Sequence, residues 1–369
     1  MNNEQSKLLL LGIGGGGGRL AAAVRASYAG DMRVLCMDTD ALSNREIQQV
    51  ANVPCILFGA RRLAGNGAGG DPIQAREAFR DESPLLDEHL AGVRTAIILT
   101  CLGAGTGSGA TREVACLLRA RGITTLCIAT TPFHFEGQAR LDVANHMRPS
   151  IEMHVDSLAE VRLDDLFATT GQETLDAAKE AADKALARSV TLLWRMVSCS
   201  GFLCTDPERL HSLITHGACV RFGSAVASGD NRVPHLLDAL KVNRVLRKGA
   251  TLDKARAILV GILGGNDLRL AEINDIMKTL HGWYPMDCLA ETATVLDPEF
   301  DGRIELVVFA FENDTQASAS AEPPLFDPDV IARPKSSAKA RKTTGDSEIW
   351  KGENLDEPTF RRRKIRLER

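Results

Sequence analysis

The chain has 369 residues, 44% hydrophobic, 25% charged and 5% aromatic, which is ordinary globular composition and enough for two to three domains of about 150 residues each. Lys and Arg number 44 against 48 Asp and Glu, a net charge of −4, so the basic excess of a sequence-independent nucleic-acid binder is missing. Apolar runs such as 96–102 and 257–263 fall well short of the ~18 residues of a membrane helix, and the polar residues 1–7 do not form a secretory leader. A cytoplasmic protein without a direct transmembrane span is expected.

In chain order, Lys7 to Ile13 reads as a strand, Arg19 to Tyr28 as a helix, Arg33 to Met37 as a strand and Asp71 to Arg80 as a helix. Ala96 to Cys101 is again a strand, Ala110 to Arg121 a helix and Thr124 to Thr130 a strand. This repeated βαβ alternation predicts an α/β fold with a doubly wound parallel sheet. From Thr174 to Val197 the apolar positions Leu175, Ala178, Ala182, Leu186, Val190, Leu193 and Val197 recur at three- and four-residue steps, the period of one long helix. Strands at Ala255 to Leu263 and Ile304 to Phe311, with a helix at Arg269 to Trp283 between them, predict a smaller α+β domain. After Glu312 the chain turns to Ser, Ala, Pro, Lys and Asp, too little apolar surface to offset ordering entropy. A flexible linker is expected there, ending in the mixed segment Leu355 to Arg366, whose apolar anchors and basic cluster suit a docking peptide.

Nine cysteines are scattered singly with no Cys-x-x-Cys, and the histidines, among them His134, His146, His154, His211, His216 and His281, show no metal-ligand spacing. Neither a disulfide frame nor a metal site is expected.

Chemistry enters with the glycines. Gly12 to Gly18 ends the first strand and opens the first helix, where backbone N–H groups and the helix N-terminus suit an anion. With Asp38 or Asp40 about 20 residues on, that loop alone also fits a dinucleotide fingerprint and an NAD-dependent oxidoreductase. A second such loop, Gly103 to Gly109, follows the Ala96 to Cys101 strand. Two phosphate cradles on adjacent strands suit a single triphosphate, and neither loop is a Walker A. A third glycine-rich stretch, Gly65 to Pro72, reads as a lid over the terminal phosphate or a mobile surface loop.

Gly14 to Gly18, the Asp38-Thr39-Asp40 turn, Gly103 to Gly109 and the run Pro132-Phe133-His134-Phe135-Glu136-Gly137-Gln138-Ala139-Arg140 resemble, in order and spacing, the nucleotide loops of the tubulin/FtsZ family. The signature loop differs from the family's only at Ala104, and the similarity runs on through Val226 to Arg232 and Asn266 to Leu270. The resemblance implies a Rossmann-like GTPase domain over 1–172, a central helix over 173–199, a C-terminal α+β domain over 200–312, a disordered linker over 313–354 and a partner-binding peptide over 355–369.

It further implies GTP or GDP held at the phosphates by Gly15, Gly16, Gly17 and Gly18 and by Gly103, Gly105, Thr106 and Gly107, with Mg²⁺ neutralising charge. Glu136 and Arg140 match the family's ribose- and base-contacting pair, and Asp183 its guanine-accepting carboxylate. Other positions depart from the family. Its loop-ending Asn is Arg19, a cation able to touch phosphate; its guanine-contacting Asn falls on Leu163, and its base-stacking Phe on Ala178. In the family, hydrolysis needs a loop of the next subunit, here Cys204 to Arg209; its first Asp is kept as Asp206, its Asn is Cys204 and its second Asp is Arg209. Asp206 followed by Pro207 also reads as a helix cap, and Glu208 is the nearest substitute carboxylate.

The implied function is a GTPase that polymerises head to tail with itself, or with a second FtsZ, at the division site on the inner face of the membrane. Pro358, Phe360 and Arg361 would bind membrane-anchor or regulator proteins. A slowly hydrolysing or non-hydrolysing filament protein of the same fold stands beside that reading.

Overall fold

The computed structural model describes residues 7–28, 30–167, 174–198, 206–246 and 252–313, with 349–350 and 353–354. In chain order the elements are β1 (Leu8–Ile13), α1 (Gly14–Ala26), β2 (Val34–Asp38), α2 (Ala41–Ala51), β3 (Cys55–Leu57), α3 (Ala60–Leu63), α4 (Pro72–Glu82) and α5 (Pro84–Asp87). There follow β4 (Thr95–Cys101), α6 (Gly105–Ala120), β5 (Thr124–Thr131), α7 (Gln138–Glu152), β6 (Ser157–Arg162), α8 (Leu163–Phe167) and α9 (Leu175–Ser198). The last are α10 (Pro207–Thr215), β7 (Cys219–Ser228), α11 (Arg232–Lys241), β8 (Ala255–Gly264), α12 (Leu270–His281), β9 (Leu289–Leu296) and β10 (Arg303–Glu312). Residues 7–313 fall within one compact unit, while a two-strand ladder of Ile349–Trp350 with Glu353–Asn354 falls within a second.

One ten-stranded sheet carries the unit, in the order β3-β2-β1-β4-β5-β6-β7-β10-β8-β9. From β3 to β6 every pairing is parallel. β1, β4 and β5 are buried on both faces; β1 and the centres of β4 (Ala96 to Leu99) and β5 (Leu126 to Ala129) are apolar runs, as suits such strands. Alternate residues feed opposite cores: Leu8 and Leu10 pack with α1 and α9 residues such as Leu20 and Trp194, while Leu9, Leu11 and Ile13 pack with α4, α6 and α7 residues such as Phe79, Val114 and Ile151. Beyond β7 the pairing turns antiparallel around β10, with ladders of ten positions to β7 and nine to β8. The smaller α+β region of the sequence reading thus shares its sheet with the parallel half. The two meet where β6 pairs with β7 through one register position, Leu158 with Cys219.

Two helices begin earlier than their sequence suggests. α1 starts at Gly14 rather than Arg19, and α6 at Gly105 rather than Ala110. Glycine is a poor helix former, but here close packing decides. A Cβ on Gly17 would strike the Leu99 carbonyl of β4, and one on Gly109 the Pro72 carbonyl of α4. Glu312 is the last residue of β10 and pairs with Arg221. Among the described residues no helix is long and apolar enough to cross a membrane.

Candidate functional site: a two-ended cavity at the sheet's switch point

In the sheet order, β1 is flanked by β2 and β4, so the crossovers run to opposite sides at the carboxyl ends of β1 and β4, where open α/β sheets hold ligands. A cavity of about 630 Å³ opens there, lined by Gly14 to Gly16, Arg19, Asp38, Asp40, Asn66 to Gly70, Cys101, Gly105 to Gly107, Phe135, Glu136, Arg140, Leu163, Lys179 and Asp183. That volume is within the ~300–1,000 Å³ usual for small-molecule sites.

At one end of the cavity two helix N-termini converge, α1 and α6, capped at Ile13 and Ala104 without a side-chain hydrogen bond and with no acid in either first turn. Of the other helices, α2, α4 and α10 are each capped by an aspartate, Asp40, Asp71 and Asp206, while α7 and α11 also lack a side-chain cap. Two uncapped N-termini facing one cavity leave backbone N–H groups and two positive dipole ends for an anion. Gly15, Gly16, Gly105, Thr106 and Gly107 line the cavity; Gly17, Gly18 and Gly103 lie behind it. Gly18 faces Ile47, and Gly103 takes a φ of +92° against Pro132, so their absent side chains set the backbone's course. Thr106 and Thr39 share a buried hydroxyl hydrogen bond of 2.7 Å, and Ser108 Oγ accepts from Gly103 N–H at 2.9 Å. Burial pushes the Asp38 carboxyl above its ordinary range, against hydrogen bonds from Thr39, Thr106 and Ser43 that favour the ionised form. Burial also pushes the Cys101 thiol up.

The glycine-rich stretch before α4 is held in place. Gly67 N–H donates to Thr39 O at 3.1 Å, Ala41 N–H to Gly65 O at 2.9 Å, and Asp40 bridges Asn66. It borders the cavity's rim.

The other end is built from ion pairs. Arg19 Nε donates to Asp183 Oδ2 at 2.7 Å. Glu136 accepts from Phe133 N–H at 3.0 Å and pairs with Arg140, and His134 pairs with Asp164. Leu163 lines this region, as does Phe135, whose ring is 65% exposed and stacks on Phe133 with centroids 4.7 Å apart. The side chain of Ala178 lies outside the described residues.

A family model described as Tubulin/FtsZ family, GTPase domain, matches residues 7–170. Over those residues the chain is similar to the tubulin/FtsZ GTPase domain. Sequence relatives of the chain include the cell division protein FtsZ of Azotobacter vinelandii, 28% identical over 365 residues, covering 98% of this chain and 90% of the relative. Its counterpart in Pseudomonas aeruginosa is 27% identical over 360 residues, covering 97% and 89%. The FtsZ dimer of M. jannaschii superposes with a TM-score of 0.77 at 21% identity, covering 83% of this chain and 88% of that one. The GTPγS-bound CetZ2 protofilament of Haloferax volcanii follows with a TM-score of 0.67 at 20% identity, covering 82% and 92%. At those identities the structural likeness carries the fold.

Outside the cavity, Asp206 caps α10, its Oδ1 accepting from Glu208 N–H at 2.9 Å. Glu208 pairs with Arg94 at 2.9 Å, and Arg209 with Glu291 at 3.2 Å. Cys204, Pro358, Phe360 and Arg361 lie outside the described residues. Among those described, no three His, Cys, Asp or Glu residues gather into a metal cage. Mg²⁺ needs none, because it is commonly held by substrate phosphates, water and one or two carboxylates, and Asp38 and Asp40 border the cavity. Sequence reasoning missed Cys101 and Lys179 as cavity residues, and it named Asn66 and Phe135 only as members of the Gly65 to Pro72 and Pro132 to Arg140 runs.

Proposed function

We propose that this chain is a cell-division cytoskeletal protein that binds GTP and assembles head to tail into filaments, hydrolysing GTP where one subunit meets the next. The observation that carries this reading is the convergence of two uncapped helix N-termini on one cavity. A dinucleotide enzyme uses one such terminus for its pyrophosphate, so the second favours a triphosphate over NAD. The names of the sequence relatives supply the cell-division context.

In this reading, backbone N–H groups around Gly15, Gly16, Gly105 and Gly107 with the Thr106 hydroxyl bind phosphate oxygens. Gly17, Gly18 and Gly103 hold the loops in shape behind them. Asp183, Glu136 and Arg140 face the base and ribose, and Mg²⁺ supplies positive charge against the phosphates, steadied by Asp38 and Asp40 through water. Asp206, exposed and remote from its own subunit's cavity, serves the neighbouring subunit by polarising the attacking water. Segments 1–172, 173–199 and 200–312 act as nucleotide unit, spine and partner-facing unit. The linker 313–354 and the peptide 355–369, through Pro358, Phe360 and Arg361, tether the filament to membrane-anchor or regulator proteins.

Turnover is slow in this reading, because a cation, Arg209, stands where the family has a second carboxylate, and Glu208 is held by Arg94. The same observation favours the second reading, a filament that does not hydrolyse. Phosphate release from purified protein with GTP and Mg²⁺, followed with light scattering at rising protein concentration, separates the two. Release and scattering that start together above a critical concentration, with release lost in Asp206→Asn, support the shared site. Scattering without release supports the second reading, and absence of GTP binding sinks both.

A further inference from the structure

Arg19 and Asp183 are 164 positions apart in sequence, yet their side chains meet at 2.7 Å and both border the cavity that holds Gly15, Gly16, Gly105 and Thr106. The Asp183 side chain is 16% exposed and that of Arg19 44%. The short carboxylate is therefore set into the wall, on the packed helix α9, while the long guanidinium reaches across from α1 and is the partner free to move. A guanidinium offers N–H donors in a planar fork, and a guanine edge with adjacent N–H groups offers the same pattern to a carboxylate. Arg19 already donates to Oδ2, so a base edge that needs both oxygens of Asp183 must compete with the guanidinium for that one. Partly exposed ion pairs of this kind are worth only about 0–1 kcal/mol, whereas an arginine meeting phosphate oxygens makes a charge-assisted, often bidentate contact.

We propose that Arg19 is a latch on the base end of the cavity. Paired with Asp183 it occupies the carboxylate that a base edge needs, and it is released when phosphates seated at the N-termini of α1 and α6 receive its guanidinium. The inference rests on reading the cavity as a guanine-nucleotide site. Its consequence is a selectivity that glycine loops alone do not give. Guanosine must break the pair with no anion to take the arginine, while GTP brings that anion with it. One residue thus couples the two ends of the cavity, penalising ligands that offer a base without phosphate.

The experiment is calorimetric titration of guanosine and of Mg²⁺-GTP into the full-length wild type, Arg19→Ala and Arg19→Gln, at low and high NaCl. The latch predicts that both variants bind guanosine about fivefold more tightly than wild type, the size of one partly exposed ion pair, and bind GTP no more tightly. It also predicts that salt strengthens guanosine binding to wild type by screening the pair and leaves the variants flat. Both substitutions fall on a half-exposed helical position, and Arg19→Gln keeps the side chain's length, so a folding defect in Arg19→Ala alone does not decide the matter. GTP binding with guanosine affinity unchanged or weakened in both variants overturns the latch and leaves the proposed function standing. A wild type that binds neither ligand overturns the proposed function, and the latch with it.

Discussion

At the phosphate end of the cavity Gly17 lies against the Leu99 carbonyl and Gly107 against that of Cys101, backbone on backbone. At the end proposed to take the base, the long and half-exposed side chains of Arg19 and Arg140 reach across to the carboxylates of Asp183 and Glu136. The first end is fixed by sterics, because no side chain fits and none needs to move. The second is fixed by weak electrostatics and can exchange partners. Under the proposed function the contrast separates two tasks within one site: the end proposed to take the phosphates tolerates almost no change in the chain, whereas the end proposed to take the base tolerates a good deal. It fits the sequence, where the glycine loops follow the family nearly unbroken while Leu163, Ala178 and Arg19 depart from it.

The strongest way to break this comparison is Gly17→Ala, whose methyl must displace strand β4. It should lower stability by about 3 kcal/mol, the upper end for overpacking, seen in thermal melts as a fall of roughly 6–12 °C. A melt unchanged within 1 °C would mean that the phosphate end yields as easily as the base end. Next comes Asp183→Asn, which removes the acceptor but little packing. GTP affinity should drop about tenfold, on the order of 1.4 kcal/mol, while the melt moves by no more than about 2 °C; a collapse in stability would make Asp183 a structural residue. Phe135→Ala tests whether that exposed ring stacks on the base. A loss of about fivefold, near the lower edge of base–aromatic stacking, is expected for GTP, and none for inorganic triphosphate.

The smallest effect concerns Asp38. Its carboxyl sits above the ordinary range because it is buried. Between the ordinary and the raised value the folded chain keeps a proton that the unfolded chain has released, so stability falls as pH rises through that window. Asp38→Asn should flatten this fall in melts taken from the acid range toward neutrality. An unchanged slope would assign the pH dependence to other groups, among them Glu305, whose carboxyl burial raises to about 7.

Much of the parallel half was legible because its strands are buried on both faces and read as continuous apolar runs. The long α9 was legible because 24 residues keep one period. The helix starts at Gly14 and Gly105 were not, since local propensity argues against them and the decisive neighbours, Leu99 and Pro72, come from other elements. β7 escaped because alternation between buried and half-buried positions mixes its apolar residues with Arg221 and Ser224, and β9 because its half-buried first half carries Glu291 and Thr292. In the site, Arg19 and Asp183 were each read as nucleotide contacts, and their pairing was hidden. Nothing local in a sequence reveals that two side chains so far apart satisfy each other.

The sheet's one narrow join has a mechanical meaning. Ladders of ten and nine positions make the region around β10 stiff, and six or seven positions bind β1, β4 and β5. Between these plates stands the single Leu158–Cys219 pair, with Leu158 N–H donating to Ala218 O at 2.8 Å beside it. With so few rungs at that crease, what ties the two halves of the sheet together is the core behind them, in which Leu193 and Trp194 of α9 share one cluster with Leu10 of β1 and Phe309 of β10.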